Sequence, residues 1–394
     1  MEIPERLPFT IQTHTGSPTG YAETAVVMIR GLLEEGVEVH YLCTHDDYIY
    51  ETPCYDAFVN DIRKIEPEDE PIQIVYSIAP LFFHNSGKYK IGFTMMETDR
   101  LSARWVRACN KMDEVWVPTY INKESFVASG VRVPVKVVPL PIDTKQFTPN
   151  LIPMIYHGDH DFRFFAVGWW QLRKRWDLLC TCFQEVFGDK KNVGLIIKTI
   201  CNEGHEPIID QIHNWIGKEC DDQIAVIEGA YPWWEYAMMM RSAHAFVLPT
   251  AGEGFGCPPL QAMACGLPVI VTDALGTGET LRDAEGNVYP GARLTKAQVE
   301  PSLVEHEYYR GSNWWSGDPE DLKAAMWDMY QNYDQWKEQA KTGCALVHAN
   351  YSGSAVALKI RVELSRIYEE LGASGVYCPS CACGVGDSSH NGSR

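Results

Sequence analysis

Apolar strand-like runs alternate with helical periodicities twice over along this chain, and few folds accommodate that pattern. In the first series Phe9 to Thr13 reads as a strand, GSPTG (Gly16 to Gly20) as a turn, and Tyr21, Ala25, Met28, Ile29, Leu32 and Leu33 recur at helical spacing. Val37, Val39, Tyr41 and Cys43 then alternate as a second strand and complete a β-α-β unit. The run Ile72 to Ile78, the segment KIGFTMMETD, a helix from Leu101 to Met112 and the strands EVWVP and VKVVPL continue the series to about Pro149. A second series opens after Asn150 to Asp161, a stretch suited to a linker. It has strands at Phe162 to Val167, Val193 to Thr199, Ile224 to Ile227, Phe246 to Leu248 and Val269 to Val271, with helices over Trp176 to Phe187 and Glu206 to Ile216. Such alternation in both halves predicts an α/β architecture of two Rossmann-like parallel-sheet domains facing each other across a cleft, with ligands at the carboxyl ends of the strands.

The expected division is a first domain over 1–149, a second over 150–345, a closing helix over 346–371 and a disordered tail over 372–394. Glu300 to Trp315 shows no period and reads as an irregular insertion, whereas Pro319 to Lys341 and Ser354 to Leu371 read as helical. A chain of 394 residues, 45% hydrophobic and 22% charged, can bury two ordinary cores. Its formal charge of −18 disfavours nucleic acid as a general partner and leaves any membrane contact peripheral. No run approaches the ~18 apolar residues of a membrane span, and MEIPERLPFTIQ lacks the features of a signal peptide, so a soluble cytoplasmic protein is expected. Most of the 13 cysteines, such as Cys43, Cys109, Cys180 and Cys265, sit in apolar segments as buried free thiols would. The tail cluster Cys378, Cys381 and Cys383 needs a fourth ligand such as His390 to hold a metal, and a disordered end is the simpler reading.

The chemistry concentrates in Thr250 to Asp273, TAGEGFGCPPLQAMACGLPVIVTD. Glu253 precedes Gly254 and Gly256, whose backbone freedom lets a ligand approach main-chain amides. Pro258 and Pro259 suit the first turn of a helix that carries Leu260, Met263 and Ala264 on one face and stops at Gly266 and Pro268. The helix dipole and free amides would therefore meet whatever sits beside Glu253, and a phosphate is the natural guest. A glycine-rich corner without a ligand is the plain alternative.

This stretch resembles the signature of glycosyltransferase family 4, retaining enzymes of the GT-B fold, in Glu253, Gly254, Phe255 and Gly256. The resemblance implies that Glu253 and the turn through Cys257 hold the donor sugar and its phosphate. The family's second glutamate, which binds the nucleotide ribose, falls at Gln261 here. An amide offers one acceptor and one donor where a carboxylate accepts twice, a swap worth roughly 1–2 kcal/mol of donor binding. If that mapping holds, Gln261→Glu should not weaken the donor.

Met96 to Pro149 and AVGWWQLRKRWDLL resemble further parts of the same family, so that the likeness covers most of residues 10 to 290. It implies that Arg173 and Lys174 neutralise the donor diphosphate as the glycosidic bond breaks, because negative charge grows on the leaving group. Relatives commonly carry arginine and glycine where this chain has Trp169 and Arg175. The loop Gly16 to Gly20 is similar to one that approaches the donor from the first domain, although a generic turn looks the same. Glu97 and Asp99 follow a strand on the acceptor side, where a helix-starting acid is the alternative for Glu97. Glu228 and Gly229 fall near the base-binding backbone, with a loop acid as the rival, and Glu279 is either a site residue or a helix cap.

Asp159 and Asp161 read as solvated linker acids rather than a metal motif, and neither an essential metal nor a cofactor is expected. The implied reaction is sugar transfer from a nucleoside-diphosphate sugar to a hydroxyl of a glycan, lipid or small-molecule acceptor. The alternatives are a phosphate-dependent glycan or disaccharide phosphorylase of the same fold and a non-catalytic sugar-nucleotide-binding protein. The pairs Trp169-Trp170, Trp233-Trp234 and Trp314-Trp315 suit stacking on sugars or, more simply, core packing.

Overall fold

The computed structural model describes residues 7–44, 71–154, 160–201, 206–217, 223–304 and 306–373. Asp159 and the cysteine cluster of the tail lie outside them. Two six-stranded parallel sheets carry the molecule.

The first is built from β1 (Phe9–Thr13), β2 (Val39–Cys43), β3 (Ile72–Tyr76), β4 (Tyr89–Phe93), β5 (Glu114–Val117) and β6 (Val135–Val137), in the order β2-β1-β3-β4-β5-β6. The second contains β7 (Phe162–Trp169), β8 (Val193–Ile200), β9 (Ile224–Glu228), β10 (Ala245–Leu248), β11 (Val269–Thr272) and β12 (Ala292–Thr295), in the order β12-β11-β10-β7-β8-β9. Both strand orders reverse about the first strand, and the crevice at such a switch point is where parallel sheets bind ligands. The strands are nearly continuous apolar runs, as a sheet covered on both faces requires: Ile72 to Tyr76 and Val269 to Thr272 are buried throughout.

In the first half the connecting helices are α1 (Gly20–Glu34), α2 (Ala103–Cys109) and α3 (Tyr120–Ala128). Thr19 caps α1 by accepting from the Ala22 amide at 3.3 Å. In the second half α4 (Trp176–Phe187), α5 (Ile208–Ile216), α6 (Trp233–Arg241), α7 (Cys257–Ala264) and α8 (Leu275–Thr280) alternate with the strands. The pattern read as one helix from Pro319 to Lys341 is two, α9 (Pro319–Gln331) and α10 (Tyr333–Tyr351), separated at Asn332. No helix among the described residues is long and apolar enough to cross a membrane.

The last helix, α11 (Gly353–Ala373), returns to the first sheet. Ile142 pairs with Ser352, and a Cβ on Gly31 of α1 would lie 2.5 Å from the Gly353 carbonyl, so the two helices meet backbone to backbone. Arg366 then reaches Glu114 of β5, donating to its two oxygens at 2.9 and 2.7 Å. The Glu114 side chain is 1% exposed and also accepts from Trp116 Nε1 at 2.7 Å, so a buried carboxylate is matched by charge and by hydrogen bonds.

The segment expected to be irregular is a hairpin instead. β13 (Ala297–Pro301) pairs antiparallel with β14 (Asn313–Gly317), and the loop between them leans on the first half. There Asn313 donates to both Asp99 oxygens at 2.7 and 2.8 Å, and Tyr309 donates to Glu97 at 3.2 Å. The helical and strand periods are both too short here to register, because only five residues pair on each side.

Candidate active site

A cavity of about 400 Å³ lies where the carboxyl ends of the two sheets oppose each other. From the first half it is lined by Thr19, Gly20, Tyr21, Glu23, Met95 and Glu97, the loops after β1 and β4. The loops after β7 and β10 supply the opposite wall, each leaving the second sheet beside its switch point. The halves touch tightly around it. A Cβ on Gly252 would lie 2.1 Å from the Glu97 carbonyl, and Asn122 of α3 donates to the Gly254 carbonyl at 2.9 Å.

Glu253 is the electrostatic centre of the cavity. Its Oε1 accepts from Lys174 Nζ, from Arg173 Nη1 at 3.0 Å and from Thr250 Oγ1 at 3.3 Å, while Oε2 has no partner among the described residues. Burial pushes the carboxyl up, but Lys174 and Arg173 together outweigh it and hold Glu253 below its ordinary value. Burial lowers the Lys174 amine and the neighbouring Arg173 lowers it further, with Glu253 opposing both. Gly168 makes room for this lysine, since a Cβ there would lie 3.0 Å from Lys174 Cε. Arg173 also donates to the Gly252 carbonyl at 2.8 Å and stands 3.7 Å from Glu97, and its buried Nε has no partner among the described residues.

Lys174 is therefore buried and Arg173 half-buried in one short 3₁₀ turn, Leu172–Lys174, and they are no solvated surface pair. The turn ends at Arg175, which adopts φ +55°, the left-handed conformation that glycine enters most easily. Its guanidinium leaves the cavity to bond Ser316 and Asp177. Gly256 has φ +89° and caps α7, placing the N-terminus of that helix at the cavity. The N-terminus of α1 meets the same space from the other side, so two positive helix ends converge with two cationic side chains.

Of the other residues singled out from sequence, Gly20, Glu97, Gly254, Phe255, Gly256, Cys257, Gln261 and Trp169 line the cavity. Gly16, Asp99, Glu228 and Gly229 do not; Asp99 is engaged with Asn313, and Gly229 donates its amide to the Thr199 carbonyl at 3.0 Å. Glu279 accepts from the Tyr120 and Ile121 amides at 2.7 and 2.8 Å and thus caps α3 across the cleft. Trp170 stacks between Trp176 and Trp215 in the core, and Trp314 is buried, whereas Trp233 reaches the cavity.

Gln261 is committed to protein partners. Its Oε1 accepts from Tyr236 at 2.9 Å and its Nε2 donates to Glu23 of α1 at 2.5 Å. Burial, with Asp143 adding repulsion, pushes the Glu23 carboxyl up to about 8. Glu23, Lys198, Tyr231 and Tyr236 escaped the sequence reading, since a lone acid in a helix's first turn looks like a dipole-complementing surface residue.

Two parallel sheets opposed across a cleft, with the switch-point loops converging on one anion-ready cavity, define the GT-B class. Known structures agree: HepE of Anabaena in complex with UDP and glucose is 12% identical, with 91% of this chain and 99% of that chain aligned at a TM-score of 0.62. Sucrose-phosphate synthase from Thermosynechococcus elongatus is 14% identical over 93% of this chain and 99% of its own, at a TM-score of 0.65. At those identities the likeness is one of fold. Within that class, residues 161–302 match the family model of glycosyl transferases group 1. An uncharacterized glycosyltransferase of Methanocaldococcus jannaschii is 25% identical over 339 residues, 86% of this chain and 76% of the relative. The chain thus has the GT-B fold, and its second half is similar to the group 1 glycosyl transferases over residues 161–302.

Proposed function

We propose that the protein is a retaining, metal-independent glycosyltransferase that moves a hexose from a nucleoside-diphosphate sugar to an acceptor hydroxyl. The observation that carries this reading is the Arg173–Lys174–Glu253 cluster at the switch point, with two helix N-termini turned to the same cavity.

The donor diphosphate takes its place on Arg173, Lys174 and the amides at the start of α7. These groups are fixed before the reaction and meet the charge that develops as the glycosidic bond breaks. Arg173 offers a planar fork, whereas the buried Lys174 supplies a point charge. Glu253 Oε2, free of protein partners among the described residues, accepts from hydroxyls of the transferred sugar and orients it. The same wall then holds the sugar's face, and the acceptor enters past Glu97 on the side of the first sheet. On this reading the departing phosphate oxygen takes the acceptor's proton on the face it leaves. Configuration at the anomeric carbon is retained, and the cations that stabilise the leaving group do the work a metal does elsewhere. Relatives of known structure include one whose crystals contain UDP and glucose, which supports a nucleotide donor.

The test is thermal-shift binding of UDP, GDP, ADP and inorganic phosphate, with and without a divalent metal, to the wild type and to Glu253→Ala and Lys174→Ala. Ligands that bind only the folded state raise its melting point. A metal-independent shift from one nucleoside diphosphate, weakened by Lys174→Ala, is expected. A shift from phosphate alone would instead favour a phosphorylase.

A further inference from the structure

We propose that Glu23, paired with Gln261, is the group that recognises the vicinal hydroxyls of the donor's nucleoside, so that α1 of the first half contributes a donor-specificity residue. The inference rests on the nucleotide-sugar reading above and assigns a role to a residue which that reading leaves idle.

One helix, α7, links the two ends of the cavity. Cys257 and Gln261 are four residues apart on α7 and therefore share a face, with a rise of about 6 Å between them. Cys257 stands at the Glu253 end, and its thiol is pushed up by burial first and then by the charges of both Glu23 and Glu253. The cavity thus runs from the cationic cluster, past Cys257, to a second polar site one turn further along.

That second site has a defined chemistry. Glu23 Oε1 accepts from Gln261 Nε2 at 2.5 Å, and Gln261 Oε1 accepts from Tyr236 at 2.9 Å. The amide is thereby oriented, with its oxygen used and one of its two protons spent. Among the described residues Glu23 Oε2 has no side-chain partner, although Glu23 is only 9% exposed and what it exposes borders the cavity. A buried carboxyl oxygen held in that state is short of a hydrogen-bonding partner. Tyr231 and Trp233 line the same cavity, so flat apolar surface accompanies the hydroxyl-accepting group. A nucleoside presents both, a planar base and two adjacent hydroxyls that donate to one carboxylate. A lone transferred hexose presents only the hydroxyls.

Because Glu23 belongs to the first half and Gln261 to the second, the recognising pair exists only while the halves are together.

The experiment is calorimetric titration of the full chain with UDP, GDP and ADP, each beside its 2′-deoxy counterpart, and with inorganic pyrophosphate. The proteins are the wild type, Glu23→Gln, and the exchange variant Glu23→Gln with Gln261→Glu. For whichever base binds, the wild type should prefer the ribonucleotide over the deoxynucleotide at least tenfold, in line with the strength of hydrogen bonds to charged groups. Glu23→Gln should reduce that preference below about threefold while leaving pyrophosphate affinity unchanged, and the exchange variant should recover it. Unchanged pyrophosphate binding also certifies that the site is folded. Equal losses for ribonucleotide, deoxynucleotide and pyrophosphate, or a preference that survives Glu23→Gln, would overturn the assignment of Glu23 alone. A wild type that binds no nucleoside diphosphate would overturn the assignment together with the function proposed above.

Discussion

Replacing Glu253 by glutamine should tighten diphosphate binding even as it abolishes turnover. The substitution keeps the volume and leaves an acceptor for Arg173 and Thr250, but it removes the negative charge that the two cations share. With Arg173 Nη1 3.0 Å from Glu253 Oε1, an anion seated on the far side of that guanidinium lies about 7 Å from the carboxylate. Two unit charges at that separation repel by about 2 kcal/mol at an effective dielectric constant of 20. Relief of that repulsion corresponds to roughly thirtyfold in affinity, and screening by salt lowers it toward tenfold.

The assay is titration of pyrophosphate into wild type and Glu253→Gln at pH 6. Low pH matters because burial and Arg173 already lower the Lys174 amine, and loss of Glu253 lowers it further. The lower the pH, the more of the amine keeps its proton and the more of the gain is expressed. At higher pH, part of the gain is spent on taking a proton up with the ligand, which appears as a binding enthalpy that depends on the buffer. Equal or weaker pyrophosphate binding by Glu253→Gln at pH 6, in a variant of unchanged melting behaviour, would refute the seating of the diphosphate on Arg173 and Lys174.

Glu23→Gln has a second consequence, readable without ligand. The unfolded chain releases this proton near 4.5 and the folded chain near 8, so the folded state binds more protons between those values and wild-type stability falls across that window. At about 1.4 kcal/mol per tenfold change in proton activity, the loss is on the order of 2–5 kcal/mol. Melting temperatures at pH 5 and pH 8.5 should show the variant gaining several degrees on the wild type at the higher pH, and parallel curves would contradict this. Arg366→Ala should destabilise the protein by roughly 3 kcal/mol because it strands the buried Glu114, and adding Glu114→Gln should recover much of that in urea denaturation. Cys257 borders the cavity, but its thiol is held well above its ordinary value by burial, so mass spectrometry after iodoacetamide at pH 8 should find it unmodified.

The fold was legible because its signals are local. Buried parallel strands write themselves as apolar runs such as Ile72 to Tyr76, and amphipathic helices such as α1 and α4 show their period directly. The turn after β10 was legible for the same reason, since Glu253, Gly254, Gly256 and the start of α7 are consecutive. What stayed hidden depends on residues far apart in sequence. Nothing local distinguishes Glu279 as a cap for α3, a contact spanning 159 residues, from a ligand-binding glutamate. Nor does the hairpin of β13 and β14 announce that Tyr309 and Asn313 will anchor Glu97 and Asp99, which it does across more than 200 positions.

Gln261 shows how such a gap arises. Read along the sequence, it is an amide where a carboxylate is expected, and the inference is a weaker site. In the structure the amide touches a carboxylate 238 residues away. The carboxyl group has not left the cavity but stands on the other half of the molecule, at Glu23. A single Gln261→Glu change would therefore place two carboxyl groups in contact rather than repair a defect, and their repulsion once both ionise would weaken donor binding even if position 261 does face the nucleoside. Only the paired exchange separates a misplaced mapping from a relocated carboxyl group. Departures from a local motif are best judged by first asking what the fold has brought within hydrogen-bonding distance of the altered residue.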